Sequence, residues 1–507
     1  MEVSAFGTPV KKALTGSFDE NVKAVQDSLH IPDNEDALSR EFRIAGEKAR
    51  LFYIDGMADD SKMQRFILGP AMQLKAPPGG GSLLDMLTAS LPASSVCATM
   101  QLSVLLSRVL SGDAALLADG LEGALIFDVK GYEHRSVQQP INESVVIGPQ
   151  EGFNESLRDN VVLMRRIMHS PALVSEQTSV GTHIPVKVCL LYLSGVAEKT
   201  IVDRIKYRLQ KCEVDYVLSA GMLEQLLEDR PYSLLPQVAM TERPDRAASF
   251  LIEGQVLLFL ENAPCALAMP VNILNLYHAP DDTSMRWQYG TFLRILRLIG
   301  ILTSLFLPAL FVSLSMHHAE GMSLALVTSI VESQASVPLS LFSSMMLMLV
   351  VFSLINEAST RVPGAMGSSL SIVGGLILGT AAVQADIVSP LVIIVVAIAG
   401  IGSYAVPDYP LTIALRIMQL ILVLAAGVMG YLGVALISFF FLLRLMTLTS
   451  CGAPYFAPYS PQRVSNPDKI LRLPIWRQRL RGYLAAPENM LRARRRMRGW
   501  EEDEKNG

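Results

Sequence analysis

Between residues 295 and 450 the chain carries five carboxylates, four arginines and no lysine. Charge is costly in hydrocarbon, so a stretch this long and this poor in charge reads as a membrane domain of several helices. Half of all 507 residues are apolar, yet residues 1–290 have the ordinary charge and broken periodicity of a soluble region. The expectation is an α/β N-terminal region in the cytoplasm followed by an all-α polytopic membrane domain.

Ile295 to Met316 is the first clear span. As a helix it reaches about 33 Å, enough for the hydrocarbon core. Arg286, Arg294 and Arg297 flank its start, and the next loop, His317 to Val337, has no Lys or Arg. The positive-inside rule puts residues 1–294 in the cytoplasm. Pro338 to Asn356 is apolar but rich in Ser and Met, and reads either as a span or as an interfacial helix. Leu370 to Ala385 is short and glycine-rich, and Ile387 to Ala405 follows almost at once. Leu411 to Leu448 is too long for one span; Gly427, Gly430 and Gly433 mark its middle and predict two helices. The tail, 451–507, carries Arg463, Lys469, Arg472, Arg477, Arg479, Arg481 and a cluster over 492–498. It is expected in the cytoplasm with anionic lipid beside it. Both ends inside require an even number of crossings: six if 338–356 spans, four if that segment and one short one do not.

The acids of the membrane domain are Glu320, Glu332, Glu357, Asp386 and Asp408. In a homo-oligomer each becomes a ring, and acid rings favour cations. Glu332, Glu357, Asp386 and Asp408 are therefore pore or gating candidates. Asp408 has a second reading, as a wet residue in a tight cytoplasmic turn, Pro407-Asp408-Tyr409-Pro410. Gly374, Gly375 and Gly379 read as close helix packing or as a narrow gate.

The soluble region is expected to hold an extension over 1–39 and two related subdomains, 40–140 and 150–285, ahead of the membrane domain at 292–450. An internal repeat organises it: RLFYIDGMADD from Arg50 aligns with CLLYLSGVAEK from Cys189. LEGALIFDV from Leu121 aligns with IEGQVLLFL from Ile252 at a similar offset. Met72 to Ser82 is a glycine-rich loop with no Gly-Lys-Ser/Thr after it, so it is not a phosphate loop. The seven histidines are dispersed, and none of the five cysteines is paired at CxxC spacing. No catalytic set, metal site or cofactor is expected, nor nucleic-acid binding. The N-terminal residues have no apolar core of a signal peptide. In MTERPDRAASFLIEG, Thr241 is expected to cap a helix near Pro244. Glu242, Arg243, Asp245 and Arg246 either pair locally or make a subunit contact.

EGFNESLRDNVVLMRR, LEDRPYSLLPQVAMTERPDRAASFLIEG, SIVGGLILGTAAVQADIVSP, FLRILRLIGILTSLFLPALFVSL and TLTSCGAPYFAP together resemble the A subunits of the GerA family of spore germination receptors. The resemblance covers about residues 40–465. It implies a location in the spore inner membrane, with a transporter-like B subunit and a lipoprotein C subunit as partners. It further implies oligomerisation into a nutrient-gated cation channel. A SpoVAF-like accessory role in ion or dipicolinate release, or a non-conducting membrane scaffold, are the alternatives.

Overall fold

The computed structural model describes residues 13–74, 83–92, 95–131, 140, 143, 148–361, 375, 377, 379–462, 466, 468–482 and 487–492. Most of the Met72 to Ser82 loop, Gly374, Arg463 and residues 493–498 lie outside them.

The first sheet contains β1 (Ala37–Ile44), β2 (Glu47–Ile54), β3 (Val96–Thr99), β4 (Ala114–Ala118) and β5 (Ala124–Phe127), in the order β1-β2-β4-β5-β3. Ala45 and Gly46 both take positive φ, the geometry of a two-residue hairpin turn between β1 and β2. β4 and β5 are buried along their whole length, which explains their unbroken apolar runs AALLA and ALIF. Helices α1 (Phe18–Leu29), α2 (Leu83–Ser90) and α3 (Leu102–Val109) accompany this sheet.

The second sheet repeats the first. Its strands are β6 (Leu173–Val180), β7 (Val186–Leu193), β8 (Ala239–Thr241), β9 (Val256–Leu260) and β10 (Ala266–Met269), in the order β6-β7-β9-β10-β8. Every ladder in both sheets is antiparallel. Its helices are α4 (Leu157–Ile167), α5 (Lys199–Lys211), α6 (Ala220–Leu227) and α7 (Pro244–Ile252). The first expected alignment holds: β2 and β7 are equivalent strands, and each exits through a glycine, Gly56 or Gly195, with φ of 74°. The second alignment is corrected. LEGALIFDV contains β5, whereas IEGQVLLFL contains β9, whose counterpart is β4. The equivalent turns are those of Gly112 and Gly254, with φ of 93° and 94°. The misleading partner was Gly123, which makes the next turn along at φ 100°.

The helical region contains α8 (Trp287–His317), α9 (Leu324–Ala335), α10 (Leu341–Arg361), α11 (Pro390–Tyr404) and α12 (Tyr409–Thr447). Among the described residues, α8, α12 and residues Leu341–Ser359 of α10 are long and apolar enough to cross a membrane. α8 spans 31 residues, about 46 Å, about three turns longer than a hydrocarbon core of about 30 Å. α12 is broken at Gly430 (φ 59°, ψ −139°). Gly433 backs onto the Ala425 carbonyl, two turns earlier in the chain, which requires the chain to reverse. The two halves thus form a hairpin, as the glycine spacing predicts. Leu411 and Leu415 near its start share one core with Leu448 just past its end.

Close helix packing falls elsewhere than at Gly375 and Gly379. A Cβ on Gly375 would meet open space, and one on Gly379 would make ordinary contact with Ile393 at 3.8 Å. The tight crossing joins α8 and α11: a Cβ on Gly402 would lie 2.5 Å from the Gly300 carbonyl oxygen. Gly400 receives the Phe352 ring of α10 in the same way.

Candidate functional site at the junction of the two regions

The soluble and helical regions share a hydrophobic core. Phe153, Leu157, Ala247, Phe250 and Leu251 of the second repeat pack in one cluster with Val406, Leu411, Leu415, Leu448 and Tyr455. Motion of the second repeat therefore cannot be separated from motion of the membrane-helix ends without exposing apolar surface.

Polar contacts fasten the same junction. Asp282, fully buried, accepts from Arg294 Nε at 3.0 Å and from Arg297 Nη1 at 3.1 Å. Burial opposes its charge, but the two guanidiniums outweigh burial and hold its carboxyl below the usual range. Arg294 Nη1 also donates to Asp468 of the tail at 2.7 Å. Arg297 sits over the Tyr277 ring, 5.6 Å from its centre. Burial, with Arg294 close by, pushes His278 down to about 3, and the neutral ring's Nε2 contacts the Lys469 carbonyl at 2.7 Å. Arg294 and Arg297, expected to flank the start of a span, make these contacts inside the protein.

The tail is also inside. Arg472 donates to the Met285 and Thr283 carbonyls at 2.8 and 3.0 Å, and Arg481 donates to the Ile252 carbonyl at 2.7 Å. Both side chains are buried, so these two residues face protein and not the lipid expected of them. Apolar and carbonyl partners from the second repeat take the place of lipid phosphate. The segment TLTSCGAPYFAP forms a buckle at the same place. Thr449 Oγ1 and Gly452 N both donate to Asp229, and Ser450 Oγ bridges the Gln237 carbonyl and Val271 N.

Arg243 pairs locally with Asp245, one of the two readings the sequence left open. Arg243 is 1% exposed and donates to Asp245, to the Glu143 carbonyl and, at 2.9 Å, to the Pro149 carbonyl. Arg246 pairs with Glu143 and donates to the Asn275 carbonyl at 3.3 Å. The two guanidiniums pin the connection between the repeats to α7. Glu242 contributes its backbone N–H to Glu143. Thr241 is not the cap of α7: the N-cap position is Arg243, and Thr241 Oγ1 accepts from Arg243 N at 3.1 Å.

Asp408 is neither wet nor in a free turn. It is 5% exposed and is the N-cap of α12, accepting from Leu411 N at 2.9 Å. Pro410 follows in the first turn. Asp-Tyr-Pro is a helix-start pattern that the sequence offers, with Asp as cap and Pro where no N–H is needed. The remaining acids are spread out. Glu332 is exposed on α9; Asp386 accepts from Ser336 Oγ at 3.1 Å; Glu357 holds Arg361 at 2.6 Å. One chain does not bring them together.

A cavity of about 650 Å³ opens beside this junction, between the C-terminal half of α10 and the N-terminal half of α12. Its lining combines polar residues, Arg416, Asn356, Ser403, Tyr404 and Thr412 among them, with apolar ones, Val350, Leu354, Ile413, Ile417 and Leu420. Tyr404 donates to Asn356 Oδ1. Arg416 carried no signal in the sequence beyond its rarity in an apolar run.

Residues 24–483 match the family described as Bacillus/Clostridium GerA spore germination protein. Spore germination protein B1 of Bacillus subtilis (strain 168) is 33% identical over 95% of this chain and 100% of that protein. Spore germination protein KA of the same organism is 32% identical over 91% of this chain and 86% of that protein. GerLA of Bacillus cereus is 30% identical over 91% and 94%. Among solved structures, the N-terminal domain of the A subunit of the Bacillus megaterium spore germinant receptor GerK3 matches 51% of this chain and 97% of that one. Its TM-score is 0.40 at 26% identity.

Proposed function

Because the chain belongs to the GerA family of spore germination proteins, we propose that it is the membrane subunit of a germinant receptor whose oligomer gates cation flow at the start of germination. Its partners in this reading are a transporter-like B subunit and a lipoprotein C subunit, and its place is the spore inner membrane with both termini cytoplasmic. The observation that supports gating is the shared core between the second repeat and the ends of α12, closed by Asp282, Arg294 and Asp468. A nutrient signal that shifts the soluble repeats would reach the membrane helices through that rigid contact. In an oligomer Glu332, Glu357 and Asp386 are the acids that would supply rings. Asp408 would act by holding the start of α12.

Potassium release from purified spores, wild type and deletion, after each of several nutrients tests this. Loss of release for one nutrient alone is the expected result. Slower release with every nutrient would instead assign a SpoVAF-like accessory role, and unchanged release would leave a scaffold.

A further inference from the structure

Among the described residues, the cavity beside α12 holds two hydrogen-bond donors with no acceptor. Arg416 Nε and Asn356 Nδ2 are both buried and both unpartnered, and both residues line the same space. Asn356 is 5% exposed, and its oxygen is already taken by Tyr404. A buried donor left without a partner is destabilising, more so when it is charged. Glu357, the carboxylate among the described lining residues, is held by Arg361 through Nε and Nη2 at 3.1 and 2.6 Å. The missing group is therefore an acceptor, and beside a guanidinium it is an anionic one.

The cavity also says what carries that anion. Arg416 lies two turns into α12, roughly 12 Å from the capped start at Asp408. Pro407 and Tyr409, on either side of that start, also line the cavity. Leu354, Ile413 and Ile417 of the lining are exposed, so these apolar side chains face outward from this chain. Two unpartnered donors in a space also lined by outward-facing apolar side chains suit an amphiphile. We propose that Arg416 and Asn356 form a binding site for an oxyanion, carried by the headgroup phosphate of an anionic phospholipid of the cytoplasmic leaflet whose chain lies along α10 and α12. A soluble oxyanion such as inorganic phosphate has the same chemistry at the two donors but no use for the apolar side chains.

The test is lipid retention by the full-length protein, delipidated in detergent and then offered phosphatidylglycerol or diacylglycerol, which lacks the phosphate, read by native mass spectrometry. Wild type should retain phosphatidylglycerol at least about tenfold more tightly than diacylglycerol, the worth of one charge-assisted contact. Arg416→Gln should abolish the preference, while Arg444→Gln, an exposed arginine on α12, should keep it. Should Arg416→Gln fail to fold, Asn356→Asp decides. It puts a carboxylate into the space that Arg416 lines, so it should remove the preference without lowering the melting temperature in detergent. Millimolar inorganic phosphate that displaces the lipid from wild type, but has nothing to displace in Asn356→Asp, would support the shared oxyanion chemistry. Saturation by phosphate with no lipid retained would overturn the lipid source. Equal retention of the two lipids by wild type, or full preference in both variants, would overturn the site.

Discussion

Arg165 of α4 grips Asp36, just ahead of β1, with two parallel hydrogen bonds of 2.6 and 2.7 Å, and both side chains are buried. Asn34 Oδ1 accepts from the same guanidinium and from Ser175 N of β6, so the clasp joins the two repeats at one point. Removing one partner of such a pair leaves a buried charge alone, at a cost of about 3–5 kcal/mol. Asp36→Ala should therefore lower the denaturation midpoint of the soluble region sharply. Replacing both, Asp36→Leu with Arg165→Met, should recover most of the loss. A small effect of the single change would mean that the clasp is solvated and that the repeats are held by other contacts.

Asp408 yields a prediction that separates capping from conduction. Its carboxylate serves Leu411 N, a role that an asparagine oxygen can fill. Asp408→Asn should leave both stability and cation selectivity near wild type, whereas Asp408→Ala should cost about 1 kcal/mol. Selectivity measured in reconstituted oligomers is the check. Altered selectivity in Asp408→Asn at unchanged stability would put the carboxylate back at a pore mouth.

The sequence carried the broad architecture because charge scarcity and strand-glycine patterns are local signals. Gly56 and Gly195 flagged the repeat because each must leave its strand with positive φ. Gly123 misled because several strand turns in this fold use a glycine with positive φ, among them Gly112, Gly120, Gly123 and Gly254, and spacing alone could not rank them. Arg243, Arg246, Arg472 and Arg481 look like surface charges in sequence. Their partners are Glu143, Pro149, Met285, Thr283 and Ile252, up to more than two hundred residues distant and mostly backbone carbonyls, which no periodicity encodes. The cavity at Arg416 was hidden for the same reason: its other donor, Asn356, comes from a different helix.

Glu224 links the junction to pH. Burial first, then Glu228 and Asp408, push its carboxyl up to about 7. The folded state favours the protonated form, so the contribution to stability is full below the ordinary carboxylate range and is lost as pH rises through about 7. Glu224→Gln mimics the neutral form at every pH. It should melt like wild type near pH 4 and a few degrees higher at pH 8. Melting curves across that range check the sign, and a variant that melts lower at pH 8 would show that the ionised carboxylate is stabilising.

Gly430 makes the hairpin of α12 possible. Its φ of 59° with ψ of −139° lies near a region essentially closed to residues with a side chain, at a strain of about 1–3 kcal/mol. The space is closed as well, because a Cβ there would lie 2.9 Å from His317 Cβ and 3.0 Å from His318 Nε2. The neighbouring contacts depend on the reversal: His317 Nε2 meets the Gly427 carbonyl at 3.0 Å, and the His318 ring stacks on Tyr431 at 4.8 Å. Gly430→Ala should therefore straighten or destabilise the turn and separate Leu448 from Leu411, opening the core that the soluble repeat shares with the membrane helices. Spin labels at Ile413 and Met446, exposed residues near the two ends of α12, in a background lacking the native thiols report it directly. They should lie close together with Gly430 present and move apart with alanine there, and equal distances would show that the reversal does not require glycine.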